Sequence, residues 1–199
     1  EYGISLDTGT LNLGLDMAED ARRRGLDWPP PGEEINLFRG QGFQDILCTE
    51  NTIRNHQAEA FKLRGVCGLQ LFGNQCFGPG PGLTLDLAEG MQFSQNRIQG
   101  TRPHAVMIRD CGVGRIDASE FSGDRQGLVV RNPTDALQLP PWAWAQLRPS
   151  RCTVTDCVYD GFEVALDIRE GPGSVRLGGN QFTACDRSFQ SAGNAGGTV

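Results

Sequence analysis

Apolar residues along this chain come in short runs that alternate with polar ones, as in Leu83-Thr-Leu85-Asp86 and Val106-Met-Ile108-Arg109. Each run ends within a few residues at Gly, Asn or Pro. Alternation with period two predicts strands that bury one face, and the breakers predict turns between them. Helical spacing is found only at 15–26 (LDMAEDARRRGL), which reads as a short helix.

The runs recur on a fixed step. Asn51, Asn74, Asn96, Ser119, Cys157 and Asn180 are separated by 23, 22, 23, 38 and 23 residues. Each has an apolar residue two places later (Ile53, Cys76, Ile98, Phe121, Tyr159, Phe182) and another three places before. A second phrase keeps the same time. Phe61, Leu83, Val106, Leu128, Leu166 and Phe189 open runs spaced 22, 23, 22, 38 and 23 apart. Two independent phrases sharing one period, long step included, mean that one structural unit is built repeatedly.

A unit of about 23 residues is too short for a propeller blade, and it lacks a helix or a leucine-rich consensus. The remaining architecture is an all-β solenoid in which each repeat makes one coil. Equivalent strands then stack in parallel about 4.8 Å apart, with alternate side chains filling the interior. The Asn column is expected at one interior corner, where Asn tolerates left-handed backbone and bonds to the next coil.

The phrases FGNQC, SQNRI and GGNQF, each followed by Gly and a strand such as GLTLDL, resemble those of right-handed parallel β-helix proteins of the pectate-lyase-like superfamily. The resemblance covers about 3–192. It implies a right-handed parallel β-helix of six to seven coils. That fold serves lyases, hydrolases, epimerases, tailspikes and non-enzymatic proteins, so it does not by itself name an activity.

The chain reads as a single domain over 1–199 with two insertions, 8–39 and 133–150, both after a second-phrase strand. Loops at one corner wall one face of a solenoid. These two carry Trp28, Trp142 and Trp144, whose rings either pin the loops or present flat faces to sugars. No polar cap is recognisable at either end. The chain is therefore expected to be a fragment of a longer protein, or to be capped by further domains or subunits.

Composition narrows the partners. A net charge of −6 argues against nucleic acid and anionic membranes, and no run of about 18 apolar residues is present. The seven cysteines are odd in number, lack metal spacing, and fall largely at inward positions, where Cys acts as a small hydrophobe. They are expected to be reduced.

Outward positions of the second phrase form one column reading Asp7, Arg64, Asp86, Arg109, Arg131 and Arg169. It is either a cross-coil ion-pair ladder or a cationic groove for a uronic or sulfated polysaccharide, since Arg forks bind carboxylates bidentately. Lys62 lies on the same face. His104, in RPHAVMI, resembles the histidine of the GHG phrase of polygalacturonases; a lone His in a turn is more often a structural residue. The remaining polygalacturonase, pectate lyase and alginate epimerase phrases are absent. A glycosidase needs two carboxyl groups about 5–9.5 Å apart. Asp7 and Asp86, two coils apart with an arginine between, do not suit that. A β-elimination lyase needs a neutralised carboxylate and a base, roles that His104, Lys62 and Arg109 can fill, with Arg64, Asp86, Arg131, Arg169 and the tryptophans as substrate contacts. No cofactor is expected, and no motif supports Ca²⁺ at Asp86. Phe72, outward on the Asn strand, is expected under a loop.

These features point to a β-helix that binds or acts on an acidic polysaccharide, by β-elimination if chemistry follows. The alternative is a non-catalytic interaction module of the adaptor or viral-fibre type that binds a protein partner. The glycan reading favours an extracellular or cell-surface location; the unpaired-looking cysteines favour an intracellular one.

Overall fold

The computed structural model describes residues 3–7, 20–21, 23–25, 43–86, 88–109, 112–131, 151–169 and 174–192. Three parallel sheets run side by side along one axis and are visited in the same order by each repeat. The first has seven strands, Ile4–Asp7, Phe61–Arg64, Leu83–Asp86, His104–Arg109, Gln126–Arg131, Val164–Arg169 and Arg187–Ala192. The second runs from Leu47–Thr49 to Ser174–Gly178 and the third from Thr52–Arg54 to Gln181–Thr183, with six strands each. The result is a parallel β-helix of about five coils. A strip of Phe43–Gln44 on Val66–Cys67 bridges the first and second sheets.

The interior follows the alternation. Phe61, Leu83, Val106, Leu128 and Leu166 stack in register in the first sheet, and Leu71, Phe93, Ile116 and Val154 in the second, all buried. In the third sheet the Ile98 column continues into stacked rings, Phe121 on Tyr159 at 5.1 Å and Tyr159 on Phe182 at 5.6 Å. The step from 119 to 157 leaves the register intact: Ile116 pairs Val154 and Phe121 pairs Tyr159.

Between the second and third sheets the Asn column forms a hydrogen-bonded ladder. Asn51 donates through its backbone N–H and Nδ2 to Asn74 Oδ1 at 3.0 and 2.9 Å. Asn74 does the same to Asn96 Oδ1, both at 2.9 Å, and its Nδ2 also reaches the Cys48 carbonyl. Asn96 passes the pattern to Ser119 Oγ through its N–H and donates from Nδ2 to the Leu71 and Ser94 carbonyls. At Cys157 the acceptor facing the Ser119 N–H is sulfur, a weak one. Asn180 restores the motif by accepting from the Cys157 N–H at 3.1 Å.

The left-handed backbone of this corner does not fall on the Asn, as its chemistry suggested, but on the residue before it. Glu50, Gln95, Ala118 and Asp156 have φ between 46° and 56°, and Gly73 and Gly179 occupy the same place. The Asn is then free to spend its amide on the ladder.

The six described cysteines are free thiols, with Cys76, Cys152 and Cys157 fully inside. Burial pushes Cys76 and Cys152 up to about 12 and Cys157 to about 11, so they stay protonated. Cys111 lies outside the described residues, as does most of 8–39 and 133–150. Within the expected helix, Asp20, Ala21 and Arg23 are helical, and Asp20 pairs with Arg24 at 3.0 Å. Phe72 points outward as the alternation indicates but is 41% exposed, not covered by a loop as expected.

Candidate functional site

Because the strands of the first sheet are in register, Asp7, Arg64, Asp86, Arg109, Arg131 and Arg169 occupy one backbone column. The column anticipated from spacing is therefore present. Its neighbour two residues earlier reads Ser5, Lys62, Thr84, Met107, Val129 and Asp167.

The face is more enclosed than a bare outer sheet. Thr84, Asp86, Val129 and Asp167 point away from the solenoid interior and are nevertheless buried. Lys62, Arg64, Arg109, Arg131 and Arg169 are half-buried. Two carboxylates organise this layer. Asp86 receives Arg109 bidentately, Nε on Oδ1 at 2.6 Å and Nη2 on Oδ2 at 2.7 Å. Asp167 accepts from Arg169 Nε at 2.7 Å and from Gln126 Nε2 at 2.5 Å. Each pair fixes the height and plane of one guanidinium.

His104 is not in a turn. It is the first residue of the strand His104–Arg109, buried, with Nε2 at 3.3 Å from Thr84 Oγ1 and, among the described residues, no hydrogen-bond partner on Nδ1. Burial holds its pKa down to about 4; Glu59 opposes this, while Arg109 and Arg131 add to it. The ring is neutral at physiological pH. His56, also buried, meets the Gly80 carbonyl at 3.2 Å, and its pKa is likewise lowered by burial.

His104, Glu59, Thr84, Asp86, Arg109 and Arg131 are thus brought together on one part of the face, with Gln126, Asp167 and Arg169 beyond them. Lys62 is the register neighbour of Thr84. Trp28, Trp142 and Trp144 fall outside the described residues. Glu59 and Gln126 were missed from sequence, although they stand two places before Phe61 and Leu128 as His104 does before Val106, a repeat position that could have found them. Also unanticipated is a shallow cleft of about 330 Å³ where the third sheet turns into the first, lined by Thr101, Ser122, Asp160 and the Arg102–Asp124 ion pair.

Among the described residues no three His, Cys, Asp or Glu side chains cluster to hold a metal. No helix among them is long and apolar enough to cross a membrane. Compared with protein-family models, curated proteins and solved structures, the chain matches none, and its chemistry is read from its own residues.

Proposed function

We propose that the chain recognises a carboxylated or sulfated polysaccharide laid along the outer face of the first sheet, without cleaving it. One observation carries this reading: Arg109, Arg131 and Arg169 are consecutive register partners, so three arginines leave the backbone of one face at one-coil spacing. That spacing, about 4.8 Å, approaches the rise of a sugar residue in an extended chain. The right-handed winding and pectate-lyase-like kinship implied by the strand–Asn phrases belong to the same reading.

The β-elimination variant is weaker. A histidine with a pKa of about 4, buried and directed at Thr84, is a poor base for a proton beside a carboxylate. Arg109, the group to neutralise that carboxylate, already gives Nε and Nη2 to Asp86, which leaves Nη1 for an outer contact and too little of its charge to neutralise a reacting carboxylate. The protein-binding alternative draws on the exposed Leu47 and Phe72, on neighbouring strands of the second sheet.

Titration with oligogalacturonate and with a sulfated glycan at low and raised ionic strength tests the proposal. Binding at low salt that weakens as salt screens it is expected. Arg109→Ala and Arg131→Ala should weaken it by about tenfold each, the loss of one charge-assisted contact, while Arg176→Ala on the second sheet should not. No binding at low salt, or equal losses from all three variants, would leave the column as an ion-pair ladder.

A further inference from the structure

We infer that the corner cleft between the third and first sheets is a second binding site, which takes one uncharged sugar ring by its hydroxyl groups. It uses other residues and another ligand chemistry than the polyanion proposal and does not rest on it.

The cleft follows from how the chain turns this corner. Three consecutive coils do so on glycine. Gly100 and Gly161 have φ of 74° and 76°, a backbone that glycine adopts without strain. A Cβ on Gly123 would lie 2.7 Å from Phe162 Cε1 and from the Thr101 carbonyl oxygen. Gly100 is also the extra residue of a bulge, since Gln99 pairs with Ser122 and Thr101 with Gly123. No side chain projects from these three positions, and a hollow of about 330 Å³ opens over them. That is at the small end of the range, about 300–1,000 Å³, that holds small ligands.

Polar groups wall the hollow on two sides. On the third-sheet side Ser122 and Asp160 are register partners, and Asp160 is exposed with no ion-pair partner among the described residues. On the first-sheet side Arg102 donates Nε to Asp124 Oδ2 at 2.6 Å, which anchors a side chain that is still 70% exposed. Asp124 Oδ1 is shielded from solvent and, among the described residues, has no hydrogen-bond partner. A shielded acceptor of this kind calls for a donor. Carboxylate and hydroxyl acceptors therefore face guanidinium and hydroxyl donors across one small space. Two carboxylates against one arginine leave the cleft net negative, which disfavours a uronate or a sulfate. Among the described residues no third metal-ligating side chain joins Asp124 and Asp160. A ring bearing adjacent hydroxyls, each both donor and acceptor, answers all of these groups: Asp160 and Asp124 accept from it and Arg102 donates to it.

The test is an NMR titration of the ¹⁵N-labelled 199-residue chain with methyl β-glucopyranoside, methyl β-galactopyranoside and methyl α-mannopyranoside. At least one should move the Gly100, Gly123 and Gly161 amide signals saturably, with a Kd in the millimolar range that raised salt leaves unchanged. Methyl galacturonoside should bind about tenfold more weakly. Asp160→Ala and Arg102→Ala should each weaken binding about tenfold, the loss of one charge-assisted hydrogen bond, while Glu120→Ala, on the same sheet outside the cleft, should not. All three replaced side chains are exposed, so the variants should keep the wild-type spectrum elsewhere. Glycine signals that stay still with all three hexosides overturn the inference. So do shifts that survive both cleft substitutions, or tighter binding of the uronoside. The arginine column is read separately, because binding there falls with salt and binding here does not.

Discussion

Acidification should unfold this protein partly through His104. Burial lowers the ring's pKa from 6.5 to about 4, so between those values the unfolded chain binds a proton that the folded chain refuses. Stability is therefore whole above pH 6.5, falls as pH drops towards 4, and owes nothing further to this group below that. At 1.36 kcal/mol per pH unit, the loss is about 3 kcal/mol, a large share of a typical domain's stability. The assay is urea unfolding of wild type and His104→Gln at several pH values from 7.5 to 4. Glutamine keeps a polar head near Thr84 Oγ1 but does not titrate in this range. The wild type should lose about 3 kcal/mol more than the variant over the window. His56, lowered in the same direction, titrates equally in both proteins and cancels. Parallel loss in the two proteins, or an NMR titration placing His104 at or above 6.5, would refute the reasoning. The ring would then be a charged member of the face.

Two further substitutions probe the ladder. Asn96→Leu removes the acceptor for Asn74 and the donor to the Leu71 and Ser94 carbonyls, and should cost about 3 kcal/mol in chemical denaturation without changing the spectrum of the remaining fold. Cys157→Asn gives the Ser119 N–H an amide oxygen in place of sulfur and should raise stability by about 1 kcal/mol; a loss would mean that this corner has no room for an amide.

The columns could be read from the chain alone because a solenoid turns sequence period directly into spatial register. Asn51 to Asn180 and Asp7 to Arg169 each kept their order across the 38-residue step. What failed, failed for physical reasons. The left-handed φ at the corner belongs to Glu50, Gln95, Ala118 and Asp156, an assignment set by how the turn closes and not by which residue best tolerates it. Alternation states which way a side chain points relative to the solenoid interior and is silent about what lies over the outer face. Asp86 was consequently read as an outward surface position and is buried, as are its face neighbours Thr84, Val129 and Asp167, while Phe72 was read as covered and is not. His104, two places before the inward Val106, was read as a turn residue, and it is instead the first residue of the strand.

The most direct test of the account is a set of distances along one column. Gln70, Gln92, Arg115, Thr153 and Arg176 are register partners on the second sheet, separated by 22, 23, 38 and 23 residues in sequence. Spin labels on unnatural amino acids at pairs of these positions leave the native cysteines untouched. One repeat per coil predicts backbone separations that grow by about 4.8 Å per step, to about 19 Å between Gln70 and Arg176, with the 38-residue step no longer than the others. A larger increment from Arg115 to Thr153, or distances that scatter instead of rising evenly, would contradict the solenoid and with it the aligned arginine column.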